Sequence, residues 1–201
     1  MIKFRYIVLM ISVLFLSSFS LYANAKLGPQ ALIESVASQV IEHVKKDREI
    51  IKTDPGHINK LINELVIPHF DFDRMSRWVL GKYWRKANES QRKQFIEEFK
   101  TLLIRTYATS LSEYVDQQIK YMPFRDKIET GDVTVRSEIE QPGSFPIPIN
   151  YRLHNGVGDW KVYDITIDDI SLISNYRSSF ANHISKSGID DLIATLADKN
   201  K

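Results

Sequence analysis

Apolar residues recur at helical spacing through the first half of the chain and at alternate positions through much of the second. From Ala31 to about Ile51, Leu32, Ile33, Val36, Val40, Ile41 and Val44 form one helical face, and Lys45, Lys46, Asp47 and Arg48 gather near its end. Asp54-Pro55 then opens a second helix with the stripe Ile58, Leu61, Ile62, Leu65 and Val66, ended by Pro68. A short third helix is predicted over Phe72 to Leu80, with Asp71 as N-cap and Gly81 as stop. Asn88 and Gln91 stand three apart as a capping pair ahead of a long fourth helix, Glu89 to about Val115. Its broad aromatic stripe is Phe95, Phe99, Leu102, Leu103, Thr106, Tyr107, Ser110, Leu111 and Tyr114.

After Tyr114 the period changes to two. Ile119 and Tyr121 alternate with polar residues, as do Val133, Val135 and Ile139, and then Ile147, Ile149, Tyr151 and Leu153. Gly131, Gln141-Pro142-Gly143-Ser144 and Asn155-Gly156-Val157-Gly158 mark the turns of an antiparallel meander. Pro146 and Pro148 lack the N–H a ladder needs, which places the start of the third strand at an edge or bulge. The fourth strand, Trp160 to Ile167, is apolar on both parities, Trp160 and Val162 one way and Tyr163, Ile165 and Ile167 the other. Leu172, Ile173, Tyr176, Phe180 and Ile184 then return to helix, and Ile189, Leu192, Ile193 and Leu196 form a last one after Gly188. The pattern predicts an α+β fold, a curled four-stranded antiparallel sheet packed against several helices with an apolar cavity between the layers. Its parts are a helical segment over 26–117, the sheet over 118–168 and C-terminal helices over 169–201.

Composition narrows the class. With 201 residues, 43% of them hydrophobic, and no Cys, the chain has material for one domain with a true core. Thiolate metal sites, a Cys nucleophile and an acylated Cys anchor are excluded. Lys3 and Arg5 precede the apolar run Ile7 to Leu16, and Ala23-Asn24-Ala25 supplies a small-x-small cleavage pattern, so residues 1–25 read as a secretory signal peptide. The run is shorter than the roughly 20 apolar residues a spanning helix requires. Without the leader the chain carries 25 basic and 25 acidic residues, a balance that gives no basic excess for a nucleic-acid partner. An exported, Cys-free, neutral chain suits a bacterial periplasm.

Candidate chemistry is sparse. His69-Phe70-Asp71-Phe72-Asp73 alternates polar groups that an extended segment would turn toward one metal ion, but a helix start here makes Asp71 a cap and Asp73 a first-turn charge. No G-x-S-x-G, H-E-x-x-H or glycine-rich phosphate loop is present. Asp164 and His154 would serve as an acid–base pair if they faced one pocket; the structural alternative pairs Asp164 with an Arg or backbone N–H groups.

Pro68-His69-Phe70-Asp71-Phe72-Asp73-Arg74-Met75, Trp78-Val79-Leu80-Gly81, Trp84, Gln91-Arg92, Phe95, Phe99, Leu102-Leu103 and Thr106-Tyr107-Ala108 resemble periplasmic phospholipid-binding proteins of the MlaC type, also called toluene-tolerance proteins. Trp160-Lys161-Val162-Tyr163-Asp164, Ile170-Ser171-Leu172, Asn175-Tyr176-Arg177, Phe180 and Gly188-Ile189-Asp190-Asp191-Leu192 continue the likeness over essentially the whole mature chain. The resemblance implies a lipid carrier without enzymatic activity or cofactor. Its expected partners are phospholipid, an outer-membrane lipoprotein–porin complex and an inner-membrane ABC transporter with a substrate-binding ring, and its role is to maintain outer-membrane lipid asymmetry. On this reading the pocket is lined by Phe72, Met75, Val79, Phe99, Leu102, Leu103 and Tyr107 from the helices and by Val133, Val135, Ile147, Ile149, Tyr151, Trp160 and Val162 from the sheet. A small-molecule enzyme using Asp164 and His154, or a chaperone or lipoprotein carrier with an exposed apolar groove, are the competing readings.

Overall fold

The structure is a computed structural model describing residues 27–113, 116–156 and 158–201; the predicted leader, Tyr114, Val115 and Val157 lie outside the described residues. Helix α1, Pro29–Lys46, starts at a proline whose missing N–H costs nothing at the first helical position. The helix expected to run on to Ile51 breaks at Asp47, and α2, Arg48–Thr53, follows as a separate short piece. At the break, Asp47 accepts a hydrogen bond from His57 Nε2 at 2.8 Å, which holds its carboxyl below the ordinary value. Asp54 makes an Asx turn, accepting from Gly56 N at 3.0 Å, and so delays α3, His57–Leu65, by two residues past the expected start at Pro55.

Helix α4, Phe72–Leu80, is capped as its sequence predicts, with Asp71 accepting from Arg74 N at 2.9 Å. Helix α5, Glu89–Glu113, opens on a reciprocal capping box in which Asn88 and Gln91 each accept the other's backbone N–H at 2.9 Å. After the sheet, α6, Leu172–Ser187, and α7, Ile189–Lys199, close the chain. Among the described residues no helix is long and apolar enough to cross a membrane.

The sheet has strand order β1-β2-β3-β4-β5, all neighbours antiparallel: β1 Gln118–Tyr121, β2 Asp132–Glu140, β3 Ile147–Asn155, β4 Trp160–Ile167 and β5 Ile170–Ser171. The fifth strand is only two residues long, joined to β4 through Asp168 and Asp169, both in the left-handed region that tight hairpins use. Its prolines put the start of β3 at an edge or bulge, but β3 lies in the interior, between β2 and β4, and its bulge with β4 falls at Arg152/Leu153, away from them. Pro148 is accommodated because it projects past the regular end of β4, where its carbonyl accepts from Asp168 N at 3.0 Å.

A β-bulge sets the sheet's two faces. Leu153 opposes Val162 and Arg152 opposes Asp164, so Tyr163 is an extra residue in β4. The bulge corrects the expected split of the fourth strand: Ile165 and Ile167 share a face with Trp160 and Val162, and Tyr163 points to the other side. Register assembles that first face from Val133, Val135, Ser137 and Ile139 on β2, Ile147, Ile149, Tyr151 and Leu153 on β3, and Ile119 and Tyr121 on β1. Leu32 and Ile33 of α1 pack on it against Val133, Val135, Leu153, Trp160 and Val162. Tyr163 instead joins the helical cluster with Met75, Val79, Phe95, Phe99, Ile173, Phe180 and Leu192. A third cluster unites Val40 and Val44 of α1 with Ile58, Leu61 and Ile62 of α3 and Ile104 and Ala108 of α5.

Candidate functional site

The α1-facing side of the sheet changes character along its length. At the end nearest α1's N-terminal half, Val133, Val135, Leu153 and Val162 are buried to 3% exposure or less. At the other end Ile119, Ile139, Ile147, Ile149, Ile165 and Ile167 are only half-buried. Six isoleucines on one face form a partly exposed apolar row. The cause lies in α1, whose stripe leaves the sheet after Val36 and turns Val40 and Val44 toward α3 and α5.

Polar groups mark the boundary between the two ends. Ser137 is buried and donates to the Ile149 carbonyl at 3.1 Å, with Tyr151 beside it on the same face. Burial pushes the Tyr151 hydroxyl above its usual value, and Tyr121 beside it is raised for the same reason, with Tyr151 and Glu34 adding to the effect. These hydroxyls remain neutral well beyond physiological pH.

The fourteen residues expected to line a pocket fall into two groups. Met75, Val79, Phe99 and Leu103 are buried in the helical cluster, with Phe72, Leu102 and Tyr107 packed on it. Val133, Val135, Trp160 and Val162 are buried under α1 with Tyr151 against them, whereas Ile147 and Ile149 belong to the half-buried row. Phe70, partly buried, touches both clusters. Missing from the expected set are Ile119, Ile139, Ile165 and Ile167. Ile165 and Ile167 are brought into line by the bulge at Tyr163, which strict alternation cannot reveal; Ile119 and Ile139 had the right parity and needed only the register.

The titratable candidates are not paired as an acid–base couple. His154 Nε2 donates to Asp71 Oδ2 at 2.7 Å, so Asp71 caps α4 with one oxygen and holds β3 with the other. Asp164, 2% exposed, accepts from Ser171 Oγ at 2.8 Å and Ile173 N at 3.2 Å, with Arg152 at 3.9 Å. It therefore fixes the start of α6, where Ser171 also accepts from Ser174 N. Burial, helped by the charge of Lys161, lowers the pKa of His69. Among the described residues no group of three or more His, Asp or Glu is arranged to hold a metal ion.

The chain is similar along most of its length to proteins of known character. A family model described as "MlaC protein" matches residues 34–198. The intermembrane phospholipid transport system binding protein MlaC of Haemophilus influenzae is 25% identical over 177 residues, covering 87% of this chain and 83% of that protein. The toluene tolerance protein ttg2D of Pseudomonas putida is 28% identical, with coverage of 87% and 81%. The solved structure of a phospholipid-binding protein from Ralstonia solanacearum, in complex with a phospholipid, superposes with a TM-score of 0.80 at 32% identity, covering 87% of this chain and 97% of that one. A helical cluster and a part-covered antiparallel sheet, in a chain matched from residue 34 to residue 198, make this protein a member of the MlaC family.

Proposed function

We propose that the chain is a periplasmic phospholipid carrier, exported by the leader at residues 1–25, that moves lipid between an outer-membrane lipoprotein–porin complex and an inner-membrane ABC transporter with a substrate-binding ring. It catalyses no reaction, needs no cofactor and helps keep the outer membrane's lipid asymmetric. The observation that carries the reading is the half-buried isoleucine row at the end of the sheet that α1 leaves uncovered. The likeness to a phospholipid-bound protein from Ralstonia solanacearum supports it.

Acyl chains contact Ile119, Ile139, Ile147, Ile149, Tyr151, Ile165 and Ile167, while Met75, Val79 and Phe99 form a filled support behind them. Two acyl chains contain about 30 methylenes, and at roughly 0.8 kcal/mol each their exposure to water costs on the order of 20 kcal/mol. Release into water is negligible on that scale, so transfer takes place while the carrier is docked. Purifying the mature protein without detergent and analysing its lipid extract by mass spectrometry tests the reading. Stoichiometric diacyl phospholipid is expected, and Ile149→Asp is expected to abolish it while the protein still folds. An empty, folded wild-type protein that takes up no lipid from vesicles overturns the reading.

A further inference from the structure

Charge is balanced over the mature chain but not over its surface. From Arg74 to Lys86 stand five basic residues, Arg74, Arg77, Lys82, Arg85 and Lys86, and no acidic one. The stretch comprises most of α4, the tight turn Gly81–Tyr83 and the approach to α5. Arg74 and Arg77 are engaged, with Asp132 at 3.3 Å and Asp73 at 2.7 Å. Lys82, Arg85 and Lys86 are exposed and make no ion pair among the described residues. The acidic groups nearby are already occupied: Glu89 holds Lys93 at 2.7 Å, and Asp190 accepts from Gln91 at 2.7 Å.

Aromatic rings are set among these cations. Lys82 and Lys86 approach the Tyr83 ring at 5.1 and 6.0 Å, and Arg77 and Arg92 approach Trp84 at 5.4 and 5.2 Å. Trp78, 38% exposed, lies under Arg74 and Arg152 at 5.6 and 5.5 Å, and Tyr83 and Trp84 are half-buried. Gly81, at φ +52°, admits a further guanidinium, because a Cβ there would stand 3.2 Å from Nε of Arg177. Helix α5, 25 residues and so about 37 Å long, begins at this corner and ends close to Asp116 in the sequence.

We infer that the corner formed by Lys82, Arg85 and Lys86 adheres to an anionic lipid surface. Unpaired cations interleaved with half-exposed Trp and Tyr rings have the composition of a face that rests on phosphate head groups. Two of the three are lysines, compact charges on flexible stems that suit mobile head groups rather than the fixed geometry of a folded acidic partner. Because the mature chain is neutral overall, the balancing negative charge lies elsewhere on the molecule, so the corner orients the protein on the surface as well as attracting it. The inference goes beyond the carrier reading and stands whether or not the isoleucine row holds lipid.

Flotation of the mature protein with phosphatidylcholine vesicles, with and without about one third phosphatidylglycerol, tests it. Binding is expected only to the anionic vesicles and is expected to vanish near 0.5 M salt, about where screening shortens to a few ångströms. Replacing the three cations together (Lys82→Gln, Arg85→Gln, Lys86→Gln) is expected to weaken binding roughly 10- to 100-fold, with circular dichroism and extracted lipid unchanged. Phe145→Ala, at a loop residue 91% exposed outside the corner, leaves binding unaltered. Failure of the wild type to bind anionic vesicles overturns the inference, as does a triple variant that binds like the wild type. A triple variant impaired only in delivery to a membrane complex, alongside a wild type that ignores vesicles, assigns the corner to an acidic protein and overturns it as well.

Discussion

The helical cluster around Phe95 and Phe99 and the isoleucine row on the sheet have similarly apolar sequences and opposite degrees of closure. Phe95 and Phe99 are fully buried, stacked on each other with ring centroids 5.6 Å apart and met edge-on by Phe180. The six isoleucines stay half-buried because α1 departs from the sheet after Val36. Closure therefore depends on the path of the covering helix more than on the hydrophobicity of the face it covers. One region is finished by its own side chains, and the other stays partly exposed.

The contrast is broken most directly at Phe99. Phe99→Ala is expected to cost about 3–5 kcal/mol in urea unfolding, the range for emptying a filled aromatic site. A loss below about 1 kcal/mol would mean that the helical cluster has slack of its own. A smaller effect is expected at Asp71, which ties the two regions together through α4 and His154. Asp71→Ala removes both the cap and the bond to β3, for about 1–3 kcal/mol by thermal unfolding, and Asp71→Asn, which keeps an accepting oxygen, costs less.

Tyr107 sharpens the comparison by pH. Burial, with Tyr176 beside it, pushes its hydroxyl up to about 12, against 10.0 in an unfolded chain. Below pH 10 both states keep the proton and stability is unaffected. Between pH 10 and about 12 the unfolded chain releases its proton first, so stability falls as pH rises. Tyr107→Phe is expected to flatten part of this alkaline loss in a pH series of melting temperatures, the remainder coming from Tyr121, Tyr151 and Tyr163 on the sheet.

Much of the fold was legible wherever local chemistry decides it. The Asp71 cap, the Asn88–Gln91 box and the alternation of β2 and β3 each depend on residues close in sequence. Misreadings arose where distant partners intervene. His57 reaches Asp47 and ends α1 early, and the bulge at Tyr163 turns Ile165 and Ile167 to the face opposite the one alternation assigns. Hydrophobicity gave Ile147, Ile149 and Tyr151 of the half-buried row the same weight as Met75, Val79 and Phe99, which are buried in the helical cluster. Separating them requires knowing which face each helix covers.

The sheet's borders have a consequence for self-association. Along β4, Phe70 bridges Val162 in parallel and Asp71 N donates to the Val162 carbonyl at 2.9 Å, while β5 occupies the far end at Thr166 and Ile167. Strand addition is thereby blocked along most of that border. The opposite border is β1, four residues long with Lys120 exposed on it, a poor template for a neighbouring chain. An apolar face can thus remain partly uncovered without inviting edge-to-edge polymerisation, which lets such a protein accumulate to high concentration without forming fibres.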